Sequence, residues 1–173
     1  MSVSKELNTA DQGHLMVEAI SNGTVIDHIA PGQAINILRM FKFLSKNNEL
    51  TVGFNVRSGA LGKKDLIKIA NVVFSPSETG QLSILAPNAT VNEIKDYKVV
   101  DKYKLRLPRE TVGDFKCPNS NCITHIEHGA TPRFLIRTDK DGKVMMRCHY
   151  CEREFSRETI LEYNGLEAKS SKD

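Results

Sequence analysis

The placement of the cysteines constrains this chain more than any other feature. All four lie in the C-terminal part: Cys117 and Cys122 form a C-x4-C pair, Cys148 and Cys151 a C-x2-C pair, and 25 residues separate the pairs. Two short-spaced pairs can deliver four thiolates to a tetrahedral ion at about 2.3 Å with little loop-closure cost, which is the pattern of a structural zinc site. Two disulfides in a secreted protein are the competing reading. The first 30 residues carry no basic-then-apolar export signal, so the expectation is a cytoplasmic protein with reduced thiols. Four sulfurs would close the coordination shell and leave no position for a reactive water. The site is therefore expected to hold one zinc ion per chain and to stabilise folding, with His125, His128 and His149 lying outside the shell.

The residues around the pairs have the pattern of a small metal-stapled sheet. Segments 132–138 (PRFLIRT) and 143–147 (KVMMR) read as strands joined through Asp141-Gly142, a hairpin turn signal. Residues 152–161 fit a short helix or a strand, and the tail after Tyr163 reads as frayed. A module this small buries too little apolar surface to fold on its own core.

The first hundred residues follow another pattern. Leu15–Ile20 has strand composition, and 24–29 reads as the beginning of a loop that ends at Pro31-Gly32. Residues 33–45 carry apolar side chains at helical spacing. Leu50–Val56 alternates, with Val52, Phe54 and Val56 on one face, and 64–74 is again strand-like, so the two are expected to pair as a hairpin. Ser75-Pro76-Ser77-Glu78 is a helix start, Pro87 a stop, and 89–95 and 97–105 read as further strands. The order β-α-β-β-α-β plus one strand predicts an α+β protein whose N-terminal domain is ferredoxin-like. That domain would be an antiparallel sheet with two helices on one face and the other face open for a ligand or another sheet. Leu107-Pro108-Arg109 breaks the pattern. The predicted domains are 1–108 and 109–173, with the boundary near 106–112 and a small β-rich zinc-binding domain beyond it.

Composition narrows the function. Among 173 residues, 24 Lys and Arg face 21 Asp and Glu, and no apolar run reaches the roughly 20 residues of a membrane span. The basic excess lies before residue 111, tryptophan is absent and aromatics are 6%, a poor composition for stacking on single-stranded nucleic acid. The alternative is a zinc-ribbon nucleic-acid binder using Lys63, Lys64, Arg133, Arg137, Arg147 and Arg153. An enzyme would need a nucleophile–base pair or an open metal position, and neither is evident.

Five stretches carry a family likeness: GTVIDHI at 23–29, GKKDLIKIAN at 62–71, LAPNATVNEIKDYKVVDK at 85–102, CPNSNCITH at 117–125 and CHYCEREFS at 148–156. Together they resemble the regulatory chain of aspartate carbamoyltransferase over about 130 residues, in order. The resemblance implies a non-catalytic, allosteric chain of a pyrimidine-biosynthesis enzyme. Such a chain forms a regulatory dimer with itself, binds the catalytic chain through its zinc domain, and has no nucleic-acid or membrane partner. Its effectors would be CTP as inhibitor and ATP as activator, with UTP assisting CTP in some members.

Carried over by position, Lys68 and Lys102 would face the triphosphate, Asp27 would accept from the ribose or base region, and His28 would sit beside the phosphates. Ala19, Ile20, Tyr97 and Val99 would line the base pocket. Read from the residues alone, Lys68 between Ile67 and Ile69 is an ordinary solvent-facing strand lysine, and the four apolar residues are ordinary strand residues. In the zinc domain Asn119, Asn121 and Glu152 would meet the catalytic chain, while turn chemistry or a hydrogen bond to a cysteine sulfur explains the two asparagines equally well. One departure stands out: His14 occupies a position where better-known members carry lysine, which puts UTP synergy in doubt.

Overall fold

The computed structural model describes residues 19–43, 47–59 and 62–166. The chain runs β1 (Gly23–Ile29), α1 (Ala34–Met40), β2 (Leu50–Ser58), β3 (Gly62–Ala70), α2 (Pro76–Leu85), β4 (Thr90–Lys95), β5 (Lys98–Lys104), β6 (Glu110–Val112), β7 (Arg133–Thr138), β8 (Val144–Cys148), β9 (Glu154–Ser156) and α3 (Arg157–Tyr163). Two antiparallel sheets result, one in the order β2-β3-β1-β4-β5 and one in the order β6-β7-β8-β9. The first is the expected split βαβ arrangement with β5 added as an edge hairpin strand.

The first strand is not where composition suggested. Residues 24–29, read as the start of a loop, form the central strand β1, flanked by β3 and β4. Its polar Asp27 and His28 disguised it. Ile26 and Ile29 are fully buried, and His28 sits at φ +60 in a bulge that shifts the register against β3. The strand expected at Leu15–Ile20 falls largely outside the described residues, as does His14; Ala19 and Ile20 are described and lie before the strand.

The helix predicted over 33–45 ends at Met40. Lys42 takes a left-handed backbone (φ +53), which lets Phe41 and Phe43 turn inward against Phe74, with ring centroids 5.4–5.8 Å apart. The first turn of α1 is held from another strand. Fully buried Asp65 of β3 accepts from the Gly32 and Ala34 N–H groups at 2.7 and 3.3 Å and from Asn55 N–H at 3.0 Å. The hairpin β2–β3 forms as expected, but a bulge at Asn55 (φ +53) breaks the alternation, leaving Val52 packed on the core and Phe54 exposed. The strand expected over 64–74 stops at Ala70, where Asn71 turns left-handed.

Helix α2 starts as its sequence dictates: Ser75 Oγ accepts from Glu78 N–H and Glu78 Oε2 accepts from Ser75 N–H, a reciprocal capping box ahead of Pro76. Its last turn, Leu82–Leu85, is buried throughout. In the second sheet, β7 and β8 match the predicted hairpin, and 154–163 is both strand and helix. Within the stretch expected to link the domains, Glu110–Val112 pairs with β7 as an edge strand.

Candidate functional site

The open face of the five-stranded sheet is set by register. Thr51, Lys68, Val25, Asn92 and Lys102 are successive partners from β2 to β5, so they form one row across the face opposite Ile26, Ile67 and Ile69. Lys68 and Lys102 are three strands apart, about 14 Å at strand spacings of 4.8 Å, with Val25 and Asn92 between them. Lys68 is half-buried and Lys102 exposed.

Two residues further along β1, Asp27 meets Lys64, whose Nζ lies 2.7 Å from one carboxylate oxygen and 3.0 Å from the other. Burial pushes the Asp27 carboxyl up, but the Lys64 hydrogen bond, the His28 backbone N–H and the two neighbouring charges together hold it below its ordinary value. His28 Nδ1 lies 3.3 Å from Asp27 Oδ2 without hydrogen-bond geometry. On the other side His28 borders a cleft of about 520 Å³ lined also by Asn88, Thr90, Lys102, Tyr103 and Lys104.

In the opposite direction along β1, Gly23 pairs with Ile94, which pairs with Val99. The turn between β4 and β5 has positive φ at both Asp96 and Tyr97, the primed geometry a two-residue hairpin requires, and it carries Tyr97 70% exposed. Tyr97 N–H donates to Ser21 O at 2.9 Å, bringing the segment that contains Ala19 and Ile20 to this turn.

Register thus puts Asp27, Lys68, Val99 and Lys102 on one face, with Tyr97 and the Ala19–Ser21 segment at the turn beyond one end and His28 in the bulge at the other. Ala19, Ile20, Tyr97 and Val99 gather at one end, Lys68 and Lys102 lie in the middle row, and Asp27 and His28 at the far end. Gly23 and His28 are five residues apart, about 17 Å of strand. Lys64, Asn92 and Ile94 belong to the same face and were missed; Lys64 is four residues before Lys68 on one strand, so strand parity alone places it there.

The second sheet carries the cysteine cluster. All four sulfurs lie within 4.8 Å of one another, with Cys117–Cys151 at 3.7 Å and Cys122–Cys148 at 3.8 Å. These are not disulfide separations, which are near 2.05 Å. A tetrahedron with metal–sulfur bonds of about 2.3 Å has edges of about 3.8 Å, so the donors match a four-thiolate metal site. Burial pushes the Cys117 and Cys148 thiols up. Cys151 is held at about 7, because the Asn119 side chain, the Arg153 N–H and the neighbouring sulfurs outweigh its burial. A bound dication would relieve the crowding of like charges.

The surrounding residues are committed to the loops. Asn119 is buried and its Oδ1 accepts from Asn121 N–H at 3.2 Å; Thr124 Oγ1 donates to Cys122 Sγ at 3.3 Å. His125 Nε2 lies 2.7 Å from Cys117 O, which takes it out of the ligand set. Asn121 is exposed, and Glu152 projects outward from a left-handed position (φ +57) beside Arg147. Three of the four arginines of the alternative reading are paired with acids: Arg137 with Glu154 in two contacts of 2.6 Å, Arg147 with Glu152 at 3.2 Å, and Arg133 with Glu110 at 3.9 Å.

Comparison with known proteins agrees with this division. Residues 15–106 match the family model for the allosteric domain of the aspartate carbamoyltransferase regulatory chain, and residues 109–161 match the model for its metal-binding domain. A regulatory chain from Tolumonas auensis is 50% identical over 88% of this chain and 98% of its own length. One from Aeromonas hydrophila is 48% identical over the same shares, and one from a Vibrio species is 49% identical over 85% and 95%. Among the described residues no helix is long and apolar enough to cross a membrane.

Proposed function

From the premise that this chain belongs to the family of aspartate carbamoyltransferase regulatory chains, and is the non-catalytic subunit of that enzyme, we propose that its five-stranded sheet binds the effector nucleotides CTP and ATP. Residues 1–108 are assigned to this role and 109–173 to holding the catalytic chain. The observation that carries the reading is the cross-strand row: it sets Lys68 and Lys102 on either side of a shallow track, with an apolar, partly exposed end at Tyr97 and Val99 and a cleft at His28.

A nucleoside triphosphate has the same polarity along its length. Its base would lie against Ala19, Ile20, Tyr97 and Val99, where backbone groups of the Ser21 and Asp96 turns can read ring nitrogens and exocyclic groups. Its phosphates would lie between Lys68, Lys102 and His28, where charge-assisted hydrogen bonds are strongest. Asp27, paired with Lys64 at the far end beside His28, lies beyond the phosphates in this pose and is not assigned to the sugar. The pairing of Arg133, Arg137 and Arg147 with acids argues against a polyanion-binding face on the second sheet.

The four-thiolate cluster is assigned to zinc, one ion per chain. Tetrahedral soft-donor geometry, a closed shell and reduced thiols in a cytoplasmic setting favour it, and its contribution there would be to folding. Exposed Asn121 and Glu152, on the loops that the ion would fix, are the residues assigned to contact with the catalytic chain. Pairing of two regulatory chains completes the assembly. Calorimetric titration of CTP, ATP and cytidine into the assembled enzyme tests the nucleotide site. Lys102→Ala should weaken both triphosphates about tenfold, the value of one charge-assisted contact, while leaving cytidine unchanged. Equal losses for nucleoside and triphosphate would reject the phosphate role.

A further inference from the structure

Helix α2 buries its last turn in the core under the first sheet and faces the β6 segment across a cleft. On its sheet side, Thr79 lines one cleft with Tyr103 of β5, the residue next to Lys102 and on the opposite face of the strand. Two residues on, Gln81 Nε2 donates to Asp114 Oδ1, and the other oxygen of that carboxylate accepts from Thr111 Oγ1 of β6. Asp114 is three residues ahead of Cys117, with fully buried Phe115 between them.

The contact sits in a wedge-shaped cleft of about 270 Å³, with Pro76, Gly80 and Gln81 on one wall and Pro108, Thr111 and Asp114 on the other. The Arg39 side chain also reaches across the joint, to Gly165 O, but that bond is exposed and 3.5 Å long. Gln81–Asp114 is part-buried, and Thr111 fixes the carboxylate from behind. Burial also pushes the Asp114 carboxyl above its ordinary value, against the Gln81 hydrogen bond.

We infer that Gln81 and Asp114 form a polar latch that couples the effector face to the metal-bearing unit, with Thr111 as the residue that positions it. The physical chain is short. A ligand that pulls on Lys102 moves β5; Tyr103 and Thr79 pass that displacement to α2; Gln81 passes it to Asp114 and the loop that leads into Cys117. Each link is a packed or hydrogen-bonded contact, and the latch supplies an element that an effector can favour or oppose. The inference rests on the regulatory reading above, and it names two residues outside the nucleotide site and the metal shell.

The test uses the enzyme reassembled from this chain and its catalytic chain, with CTP and ATP as probes. Gln81→Ala should leave metal content, assembly by sedimentation and nucleotide affinity at wild-type values. The nucleotide-induced change in half-saturating aspartate should fall about two-fold or more. The exchange Gln81→Glu with Asp114→Asn puts the acceptor on α2 and the donor on the joint, and should restore the response. A mere space-filling role predicts no such rescue. Unchanged nucleotide response in Gln81→Ala overturns the latch alone, as does failure of the exchange to restore it when assembly and affinity are normal. Absence of any nucleotide response in the wild-type assembly overturns the regulatory reading and the latch together.

Discussion

Asp65 offers the sharpest check on how the five-stranded sheet and α1 are held together. Its carboxylate is fully buried in β3, yet its only described contacts are three backbone N–H groups, from Gly32, Ala34 and Asn55. Those groups belong to three different elements: the loop before α1, the first residue of α1, and the bulge of β2. Asp65→Asn keeps one acceptor and turns the other oxygen into a donor that faces an N–H. The amide must then surrender either Asn55 or the Gly32–Ala34 pair. At about 1.5–3 kcal/mol for a hydrogen bond to a charged group, the expected loss is about 2–3 kcal/mol. Asp65→Ala removes all three acceptors and leaves buried Ala34 N–H with none, so its loss should reach about 4–5 kcal/mol. Denaturant unfolding of the metal-loaded chain measures both. Hydrogen exchange at Gly32, Ala34 and Asn55 shows where the change lies, since faster exchange should be confined to these amides and the adjoining turn of α1. An Asp65→Asn variant within about 0.5 kcal/mol of wild type, or with protection lost evenly across the sheet, would refute the reasoning.

The metal-bearing unit should depend on its ion. Chelation under reducing conditions, or Cys151→Ser, is expected to unfold residues 109–166 and abolish assembly while strands β1–β5 persist, as circular dichroism and exchange would register; retained α3 protection without metal contradicts this. Gly80 is a helical glycine whose added Cβ would meet only Pro108 side-chain atoms at 3.7–3.8 Å, so Gly80→Ala should raise stability by about 0.5–1 kcal/mol in thermal unfolding. Gly23 is the converse. It has φ +137 and a Cβ there would lie 2.1 Å from Ile69 O, so Gly23→Ala should not yield the folded first sheet. The Asp27 carboxyl titrates below its ordinary 3.8 in the folded chain, so the stabilisation it supplies is present above that value and lost as pH falls through the lower folded one. The stability gap between wild type and Lys64→Ala should accordingly close below about pH 4; a gap that widens on acidification contradicts the ion pair.

Much of the architecture could be read from residues whose chemistry has one strong use. Four cysteines in two close pairs placed the metal cluster, Ser75-Pro76-Ser77-Glu78 placed the start of α2, and Asp141-Gly142 placed the β7–β8 hairpin. The misreadings fall where local preference loses to tertiary contact. Lys42, Asn55 and Asn71 each take a left-handed backbone that ends or bends an element; asparagine tolerates that region but does not dictate it, and lysine carries no signal for it at all. Asp27 and His28 made β1 look like a loop because they lie on its part-exposed side, and the same polarity conceals any central strand with one uncovered face. The grouping of Ala19, Ile20, Asp27, His28, Lys68, Tyr97, Val99 and Lys102 was accessible only through resemblance, because it depends on a register across five strands. Once the register is known, parity adds Lys64, Asn92 and Ile94 without further information.

Energetics connects the two sheets. An effector shifts a two-state assembly only by its differential affinity for the two states, typically about 1–3 kcal/mol. A side-chain hydrogen bond to a charged acceptor in a part-buried joint is of that same size, about 1.5–3 kcal/mol. One contact such as Gln81–Asp114 therefore suffices to carry the coupling, provided that it exists in one state and is broken or rearranged in the other. A wholly apolar joint would need a larger repacking to store the same difference, since dispersion contacts are weak singly and change gradually with displacement. A carboxylate held by one donor from each side changes abruptly when either donor leaves, and its burial makes the loss costly. That difference is what suits the α2–β6 joint to a switch and the fully apolar Ile26–Ile67–Leu82 core to a rigid frame.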